Sequence, residues 1–228
     1  MKLLSIDTST KVFSLAVSFD ERIVVEQNIK LDKILSSSII PAIEQALKKA
    51  KISINQLDGF ALGLGPGSFT SLRVGLSTIK AFAFATQKPV VGIASLDVIA
   101  MSLKKDQNTI CVVTDARRDL VYACLYQAQG LKLTRKSDYL LISMDELLKT
   151  LSGKVIFAGD AISLFRNKIL KAKKKNYFEP IFSDEKYWNP RARHLAALAL
   201  QRFKSKKLDD ASRLVPLYLY PEDCQVVK

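Results

Sequence analysis

Apolar residues recur with two different periods along the chain, and the changes of period predict the order of its elements. Three apolar runs with β-branched residues and short polar turns come first, at residues 2–7, 12–19 and 23–29. Such runs are typical of an antiparallel meander. From Leu35 to Leu47 the apolar residues then recur every four positions, which predicts one face of a helix. Pro41 lies inside this helix, so we expect either a kink there or a first turn near Ser38.

The rest of the first half alternates strands with helices. The pattern predicts a strand at 57–62, a helix at 71–87, a strand at 89–93 and a helix at 95–103, with Ser95 as the N-cap of the last. The resulting order, β-β-β-α-β-α-β-α, describes a mixed sheet with helices packed on its faces.

A second, less regular series begins near residue 109. Its predicted strands cover 109–115, 120–126, 131–134 and 155–158, and its predicted helices cover 144–151, 162–170 and 189–203. Asn189 is the expected N-cap of the last helix, with Pro190 at its first position. Both series open on an apolar strand that ends in an acid, Asp7 or Asp115. The chain is therefore predicted to be an α/β protein with two related lobes, 1–105 and 106–228.

The net positive charge of the chain raises the question of which partners it binds. The 228 residues carry a net charge of +13, which favours contact with RNA, an acidic protein or a nucleotide. A general lysine bias would give the same value, since the lysines are spread along the chain. The lysine-rich runs at 171–176 and 204–207 are solvated loops on one interpretation and RNA contacts on the other.

The cysteines and the lengths of the apolar segments indicate the cellular compartment of the protein. Cys111, Cys124 and Cys224 are odd in number and form no CxxC, which is typical of free thiols in a reducing cytosol. No segment reaches the roughly 18 consecutive apolar residues of a membrane span. We expect a cytoplasmic protein without membrane contact.

The stretch GLGPGSFT, residues 63–70, joins a predicted strand to the helix at 71–87. Gly65-Pro66-Gly67 could form only a tight turn, with Ser68 as the N-cap. Alternatively, the amides at the start of the helix could hold a phosphate. The loop lacks the Lys-Ser/Thr of a Walker A motif and is not GxGxxG, so the turn is favoured.

The helix after this loop is apolar on more than one side. Leu72, Leu76 and Ile79 share one face, and small residues such as Gly75 would let another backbone approach closely. The helix therefore needs two neighbours. One is its own sheet, and the other is either the helix at 35–47 or a second subunit.

Five segments resemble, in order, those of a known family. They are LLSIDTST at 3–10, GLGPGSFTSLRVGLSTIKAFA at 63–83, PVVGIASLD at 89–97, DARRDLVYACLY at 115–126 and PLYL at 216–219. The family is TsaB (formerly YeaZ), the bacterial dimerization subunit of the tRNA threonylcarbamoyladenosine (t6A) machinery. The resemblance is strong over 1–126 and thin beyond. It implies the actin-like, Hsp70-like ATPase (ribonuclease H-like) fold, with two related βββαβαβα-type lobes.

The resemblance also implies a function. Such a chain is a non-catalytic scaffold that binds and supports TsaD, together with TsaE, in forming t6A at position 37 of tRNAs decoding ANN codons, and it forms a homodimer when alone. Contact with tRNA would be indirect or through a basic surface. Contact with the partner would use first-lobe helices, and a charge at Leu76 or Ile39 is then expected to weaken association by about a few kcal/mol. The expected interface residues are Leu35, Ile39, Ile43, Leu72, Leu76, Ile79 and Phe82.

The chain departs from the catalytic paralogue TsaD, which resembles it in the first lobe. TsaD binds its metal through two histidines four residues apart, and Ser95 and Ile99 stand at the matching positions. The only histidine, His194, is expected to be structural or exposed. We therefore expect no catalytic residue, no metal and no required cofactor.

Weak binding of ATP or ADP with Mg²⁺ stays open, at a degenerate cleft or at the partner interface. The turns that close on phosphates in this fold read DTST at 7–10 and DARR at 115–118, without glycine. The residues that could make a weak nucleotide contact are Asp7, Ser9, Gly65, Gly67, Ser68 and Gly159.

Two departures from the TsaB pattern concern the partner surface. Leu35-Ser36 stands where many members have a His-Ser or His-Thr pair, and Tyr220 stands where an arginine is common.

Two other functions remain open. The chain could instead be an actin-like nucleotide-binding enzyme, either an acyl- or phosphotransferase or a peptidase, if a nucleophile and a base come together. It could also be a basic accessory protein that binds tRNA.

Overall fold

A computed structural model describes residues 1–30, 35–129, 132–173 and 177–220. The chain forms two compact units. The first unit combines Met1–Val98 with Pro190–Leu217, and the second combines Ile99–Asn189 with the segment that begins at Tyr218. The two predicted lobes thus have counterparts here, except that the C-terminal helix belongs to the first unit.

The described elements alternate much as the pattern predicts. The strands are β1 (Lys2–Asp7), β2 (Val12–Phe19), β3 (Arg22–Lys30), β4 (Gly59–Gly63), β5 (Val90–Ile93), β6 (Thr109–Arg117), β7 (Leu120–Gln129), β8 (Lys132–Arg135), β9 (Leu140–Ser143), β10 (Gly153–Ala158) and β11 (Phe178–Phe182). The helices are α1 (Leu35–Lys49), α2 (Phe69–Thr86), α3 (Ser95–Met101), α4 (Met144–Lys149), α5 (Ile162–Ala172) and α6 (Ala192–Lys204).

The two sheets share one topology. The first has the strand order β3-β2-β1-β4-β5, with β1–β3 antiparallel and β4 and β5 parallel to β1. The second has the order β8-β7-β6-β10-β11, again with an antiparallel half followed by two parallel strands. In the second, β9 also pairs with β7. This correspondence confirms two related lobes, although the pattern had missed β9 and β11.

Helices α1 and α2 cover one face of the first sheet. Alternation along β2 turns Phe13, Leu15 and Val17 toward these helices, and all three are fully buried. Helix α1 begins at Leu35 despite the proline within it, so the predicted alternative of a first turn near Ser38 is wrong.

Helix α6 covers the opposite face of the same sheet. Leu195, Ala199 and Phe203 pack with Leu3 and other residues of the sheet in one cluster. The amide of Ala192, the first residue of α6, donates to the hydroxyl of Ser14 on β2 at 2.7 Å. The helix begins at Ala192 after Arg191, so the prediction of Asn189 as its N-cap and Pro190 as its first residue is wrong.

The segment after α6 closes the edge of β5. Arg202 donates to the carbonyl of Gly92 at 2.7 Å and to the carboxylate of Asp209 at 2.9 Å. That carboxylate also accepts the amide of Gly92 at 2.8 Å, and the amide of Asp209 donates to the carbonyl of Val90 at 3.0 Å. Residues 190–217 are therefore an integral part of the first unit.

The second unit has its own core and two of the three cysteines. Helices α4 and α5 pack on a sheet face that includes Val113, Val121 and Phe157. Cys111 and Cys124 are buried thiols that are not joined in a disulfide, and burial raises the pKa of the Cys111 thiol. Cys224 lies outside the described residues. No helix in the described part of the chain combines the length and apolarity needed to cross a membrane.

Candidate functional site

The turn after β1 and the glycine loop before α2 form one hydrogen-bonded junction. Asp7, the last residue of β1, is fully buried. One carboxylate oxygen accepts the amide of Ser9 at 2.9 Å and its hydroxyl at 2.6 Å. The other accepts the hydroxyl of Ser95 at 2.7 Å, and that hydroxyl accepts the amide of Gly65 at 3.0 Å. Ser95 therefore links Asp7 to the loop.

Ser95 does not have the predicted N-cap role. It is the first residue of α3, and its hydroxyl is used by Asp7 and Gly65. Its amide also donates to the carbonyl of Gly65 at 2.7 Å. The predicted cap is wrong because Ser95 is already the first helical residue, and its hydroxyl donates to Asp7 and accepts from the amide of Gly65 instead of a helix amide.

The glycines let this loop lie directly on the turn. A Cβ at Gly67 would collide with the carbonyl oxygen of Ser9, and one at Gly63 with the carboxylate of Asp7. Gly65 has a φ of +88°, a conformation that glycine adopts without strain. The amide of Ser68 donates to the carbonyl of Ser9 at 2.9 Å. The GLGPGSFT loop is thus held by main-chain contacts with the DTST turn.

Asp7 has little to offer a ligand in this arrangement. Burial is the main cause that raises the pKa of this carboxyl above its usual range, while the donors of Ser9 and Ser95 oppose the rise. Both oxygens already accept hydrogen bonds from the chain itself. Because the side chain is fully buried, a cation or a nucleotide could reach the carboxylate only if the surrounding packing opened.

Asp7→Asn is expected to change how stability depends on pH. Because the folded-state pKa of Asp7 is raised above 3.8, the folded chain retains a proton that the unfolded chain has released. The free energy of unfolding should therefore fall as the pH rises from the unfolded pKa through the folded one, by about 1.4 kcal/mol for each pH unit between these two pKa values. The asparagine variant should lack this fall, which urea unfolding from pH 3 to pH 8 would show. Parallel pH profiles would contradict the assignment.

The two serines at this junction are not arranged as activated nucleophiles. Ser9 is almost fully buried, with its hydroxyl donating to Asp7. Ser68 is exposed and holds the predicted N-cap position of α2, but its side chain makes no capping bond. Its hydroxyl instead lies 3.0 Å from that of Ser71, which is no general base at neutral pH.

In the second unit, the corresponding turn carries the DARR motif. Asp115 accepts the amide of Arg117 at 2.8 Å, while its own amide donates to Asp160 at 3.0 Å. Arg117, Arg118 and Asp119 have φ values of +68°, +51° and +59°, each a conformation that costs a non-glycine residue about 1 kcal/mol or more. The two carboxylates therefore hold a strained hairpin that exposes two arginines.

Gly159 lies between β10 and α5 in the second unit. Its φ is +114°, and a Cβ there would collide with the carbonyl of Val113. Of the six predicted nucleotide contacts, the structure brings Asp7, Ser9, Gly65, Gly67 and Ser68 together in the first unit. Whether any of the six contacts a nucleotide stays a prediction.

The residues predicted for the partner interface lie mostly inside the first unit. Leu35, Ile39, Ile43, Leu72, Leu76 and Ile79 are at most 9% exposed, and Phe82 packs partly buried against the same core. Large apolar side chains on the outer side of these helices are exposed instead: Ile40 by 47%, Phe69 by 53% and Phe84 by 55%. Contact through α1 and α2 stays a prediction, but these outer side chains are the ones a partner could reach.

The two departures from the family pattern have clear places in the structure. Leu35 is buried and Ser36 is exposed at the start of α1. The hydroxyl of Tyr220 donates to the carbonyl of Ala116 at 2.7 Å, and its ring meets that of Tyr122 edge-on. Burial raises the pKa of Tyr122 to about 12. Tyr220 thus braces the strained hairpin within the second unit.

In the described part of the chain, histidine and acidic side chains do not gather into a metal centre. His194 is half-buried on α6, and its amide donates to the carbonyl of Arg191 at 2.9 Å. Within residues 1–30, 35–129, 132–173 and 177–220, no three His, Cys, Asp or Glu side chains are grouped as metal ligands.

Sequence comparison gives a consistent family. The family model "TsaD: tRNA N6-adenosine threonylcarbamoyltransferase" matches residues 30–225. The tRNA threonylcarbamoyladenosine biosynthesis protein TsaB of Bacillus subtilis is 29% identical over 96% of this chain and 94% of its own length. TsaB of Escherichia coli is 25% identical over the same shares of the two chains.

Structure comparison agrees with the fold. YeaZ from Pseudomonas aeruginosa superposes with a TM-score of 0.80 at 23% identity, covering 96% of this chain and 99% of YeaZ. A further structure from that organism, described as similar to the peptidase YEAZ, gives 0.81. These matches confirm the predicted α/β fold with two related lobes. The chain belongs to the TsaD family of tRNA N6-adenosine threonylcarbamoyltransferases and, within it, to the TsaB (YeaZ) group.

Proposed function

We propose that this chain is a non-catalytic scaffold subunit that binds TsaD, together with TsaE, in forming t6A at position 37 of tRNAs decoding ANN codons. When alone, it pairs with a second copy through the same surface. Membership of the TsaB group supports a part in t6A biosynthesis. Such a subunit works in the cytoplasm, where tRNA is modified.

The observation that carries the proposal is the outer face of α1 and α2. On α2, exposed or half-buried residues recur at Thr70, Val74, Ser77, Ala81 and Phe84, which is one helical stripe. Most of its side chains are small, so another helix could approach closely. Ile40 presents a comparable apolar side chain on α1, which packs beside α2. A stripe of mostly small residues beside exposed apolar side chains on both helices supports a helix-binding surface here.

The closed junction around Asp7 supports the non-catalytic part of the proposal. In the first unit, the carboxylate that ends β1 holds the glycine loop through Ser9 and Ser95. That loop leads directly into α2. The junction therefore positions the helix that would contact the partner, which is a structural use of the carboxylate.

Phe84→Glu is expected to weaken association with TsaD about a hundredfold, because a carboxylate would replace an apolar anchor at the interface. Isothermal titration calorimetry with purified TsaD, in the presence and absence of TsaE, would measure the loss. Leu164→Glu is the matched control. Leu164 is an equally exposed apolar residue, on α5 of the second unit, and its substitution should leave the affinity unchanged.

Either of two results would contradict the proposal. One is wild-type affinity for the Phe84→Glu chain with its circular dichroism unchanged. The other is an equal loss in Leu164→Glu, which would move the interface away from α1 and α2. ATP turnover by the purified chain without TsaD or TsaE would instead favour an enzyme.

A further inference from the structure

Several basic residues meet at one end of the second sheet. Strands β6, β10 and β11 run parallel, and their registers pair Thr109 with Val155 and Gly153 with Phe178. These three strands therefore start at the same end of the sheet. Strand β7 is antiparallel and ends there, and β8 begins there, where Gln129 pairs with Lys132. We call this end the amino-end face.

The segments that reach the amino-end face carry seven described lysines. Two precede β6, one opens β8, one ends α4, one lies in β10 and two lie at the end of α5. They are Lys104, Lys105, Lys132, Lys149, Lys154, Lys171 and Lys173. All are exposed except the half-buried Lys104. Among the described residues, the acidic side chains at this end are Asp106 and Glu179, so positive charge predominates.

An aromatic ring stands on the same face. Tyr177 directly precedes β11 and is 96% exposed. Its carbonyl accepts the amide of Gly153 at 3.0 Å, which fixes its main chain beside the residue that precedes Lys154. Moving an aromatic ring out of water lowers the free energy of the system. A ring exposed this fully is therefore available to stack on a planar group.

Within the second unit, the face lies at the end of the sheet opposite to the DARR turn and Gly159. Asp115 and Gly159 follow the carboxyl ends of β6 and β10, whereas the lysines lie at the opposite ends of these strands. Neighbouring strands are about 4.8 Å apart, so the five strands from β11 to β8 extend the face over roughly 19 Å. This is long enough for several phosphates of one nucleic acid strand.

We infer that the amino-end face of the second unit binds RNA. Its lysines contact phosphates along the backbone, and Tyr177 stacks on an unpaired base. Basic residues combined with an exposed aromatic ring are the usual features of a surface that binds single-stranded nucleic acid. An acidic protein would use the lysines but would have no need of the ring. The inference is independent of whether α1 and α2 contact TsaD.

The test measures binding of the isolated full chain to an unmodified tRNA transcript by fluorescence anisotropy, from 50 to 200 mM salt. Replacing Lys154, Lys171 and Lys173 with glutamine should weaken binding at least tenfold at low salt. It should also make the slope of log K against log salt shallower by about 2, since each lost contact removes about 0.7. The matched control replaces Lys48, Lys49 and Lys51 in the first unit, which are equally exposed, and should change binding less than twofold.

Variants of Tyr177 distinguish the contribution of base stacking to RNA binding from that of electrostatic attraction. Tyr177→Ala should lose roughly fivefold or more in affinity, while Tyr177→Phe should retain it. Equal losses in the two triple variants, or wild-type affinity for Tyr177→Ala, would overturn the inference. Competition by polyglutamate as strong as by RNA, with no effect of Tyr177→Ala, would assign the face to an acidic protein instead. Phe84→Glu should bind RNA normally, so this result and the TsaD result can fail separately.

Discussion

Ile39→Asp will strongly destabilise the first unit, whereas Ile40→Asp, one residue later on α1, will leave its stability almost unchanged. Ile39 is 2% exposed and packs in the core with Leu4, Phe13 and other residues of the sheet. A carboxylate there would have no partner and no water, at an expected cost of about 4 kcal/mol or more. Ile40 is 47% exposed, so its substitution should cost less than about 1 kcal/mol.

Chemical denaturation followed by far-ultraviolet circular dichroism would measure both variants. Tryptophan fluorescence would be less informative, because the only tryptophan, Trp188, lies in the second unit. A wild-type denaturation profile for Ile39→Asp would refute the burial. The pair also separates folding from association, since we expect Ile40→Asp to lower affinity for TsaD in a chain that remains folded.

Gly159→Ala should destabilise the second unit by about 3 kcal/mol or more, and Gly153→Ala by only about 1 kcal/mol. Both glycines have positive φ values, +114° and +67°, so alanine is strained at either position. They differ in their surroundings. A Cβ at Gly159 would collide with the main chain of Val113, whereas a Cβ at Gly153 would have nothing within 4 Å.

The difference between the two glycine variants combines the collision with a larger backbone strain at Gly159, whose φ lies outside the left-handed region that alanine can enter. Thermal or urea unfolding monitored by the fluorescence of Trp188 suits this pair, because that residue packs against the core of the second unit. Equal losses of stability would mean that the main chain near Val113 moves aside, and that the close approach after β10 contributes nothing.

Local pattern was sufficient to predict most elements. The meander follows from alternation in β2, where every second side chain is large and apolar, and α2 follows from its helical spacing. The pattern missed β11 because Pro180 and the charged Glu179 interrupt its apolar residues. Such residues are tolerated at an edge strand, and among the described strands β11 pairs with β10 alone.

The site was harder to predict because its contacts join distant residues. The apolar faces of α1 and α2 were evident, yet spacing alone could not show that Ile39 and Leu76 face the chain's own sheet. Likewise, Ser95 matched the pattern of a helix cap. Nothing nearby in sequence indicated that its hydroxyl donates a hydrogen bond to Asp7, 88 positions earlier. An acid at the end of a buried strand was the available signal, since a buried carboxylate requires donors.

The return of residues 190–217 to the first unit has a consequence for synthesis. On the ribosome, the first sheet emerges long before α6, which later covers Leu3 and its neighbours. The segment Ile99–Asn189, by contrast, is complete before α6 is made. Because domains fold as units once their residues have emerged, the part of the second unit within Ile99–Asn189 can fold first, without the segment that begins at Tyr218. The apolar face of the first sheet must then be kept from misassembly until nearly the whole chain has been translated.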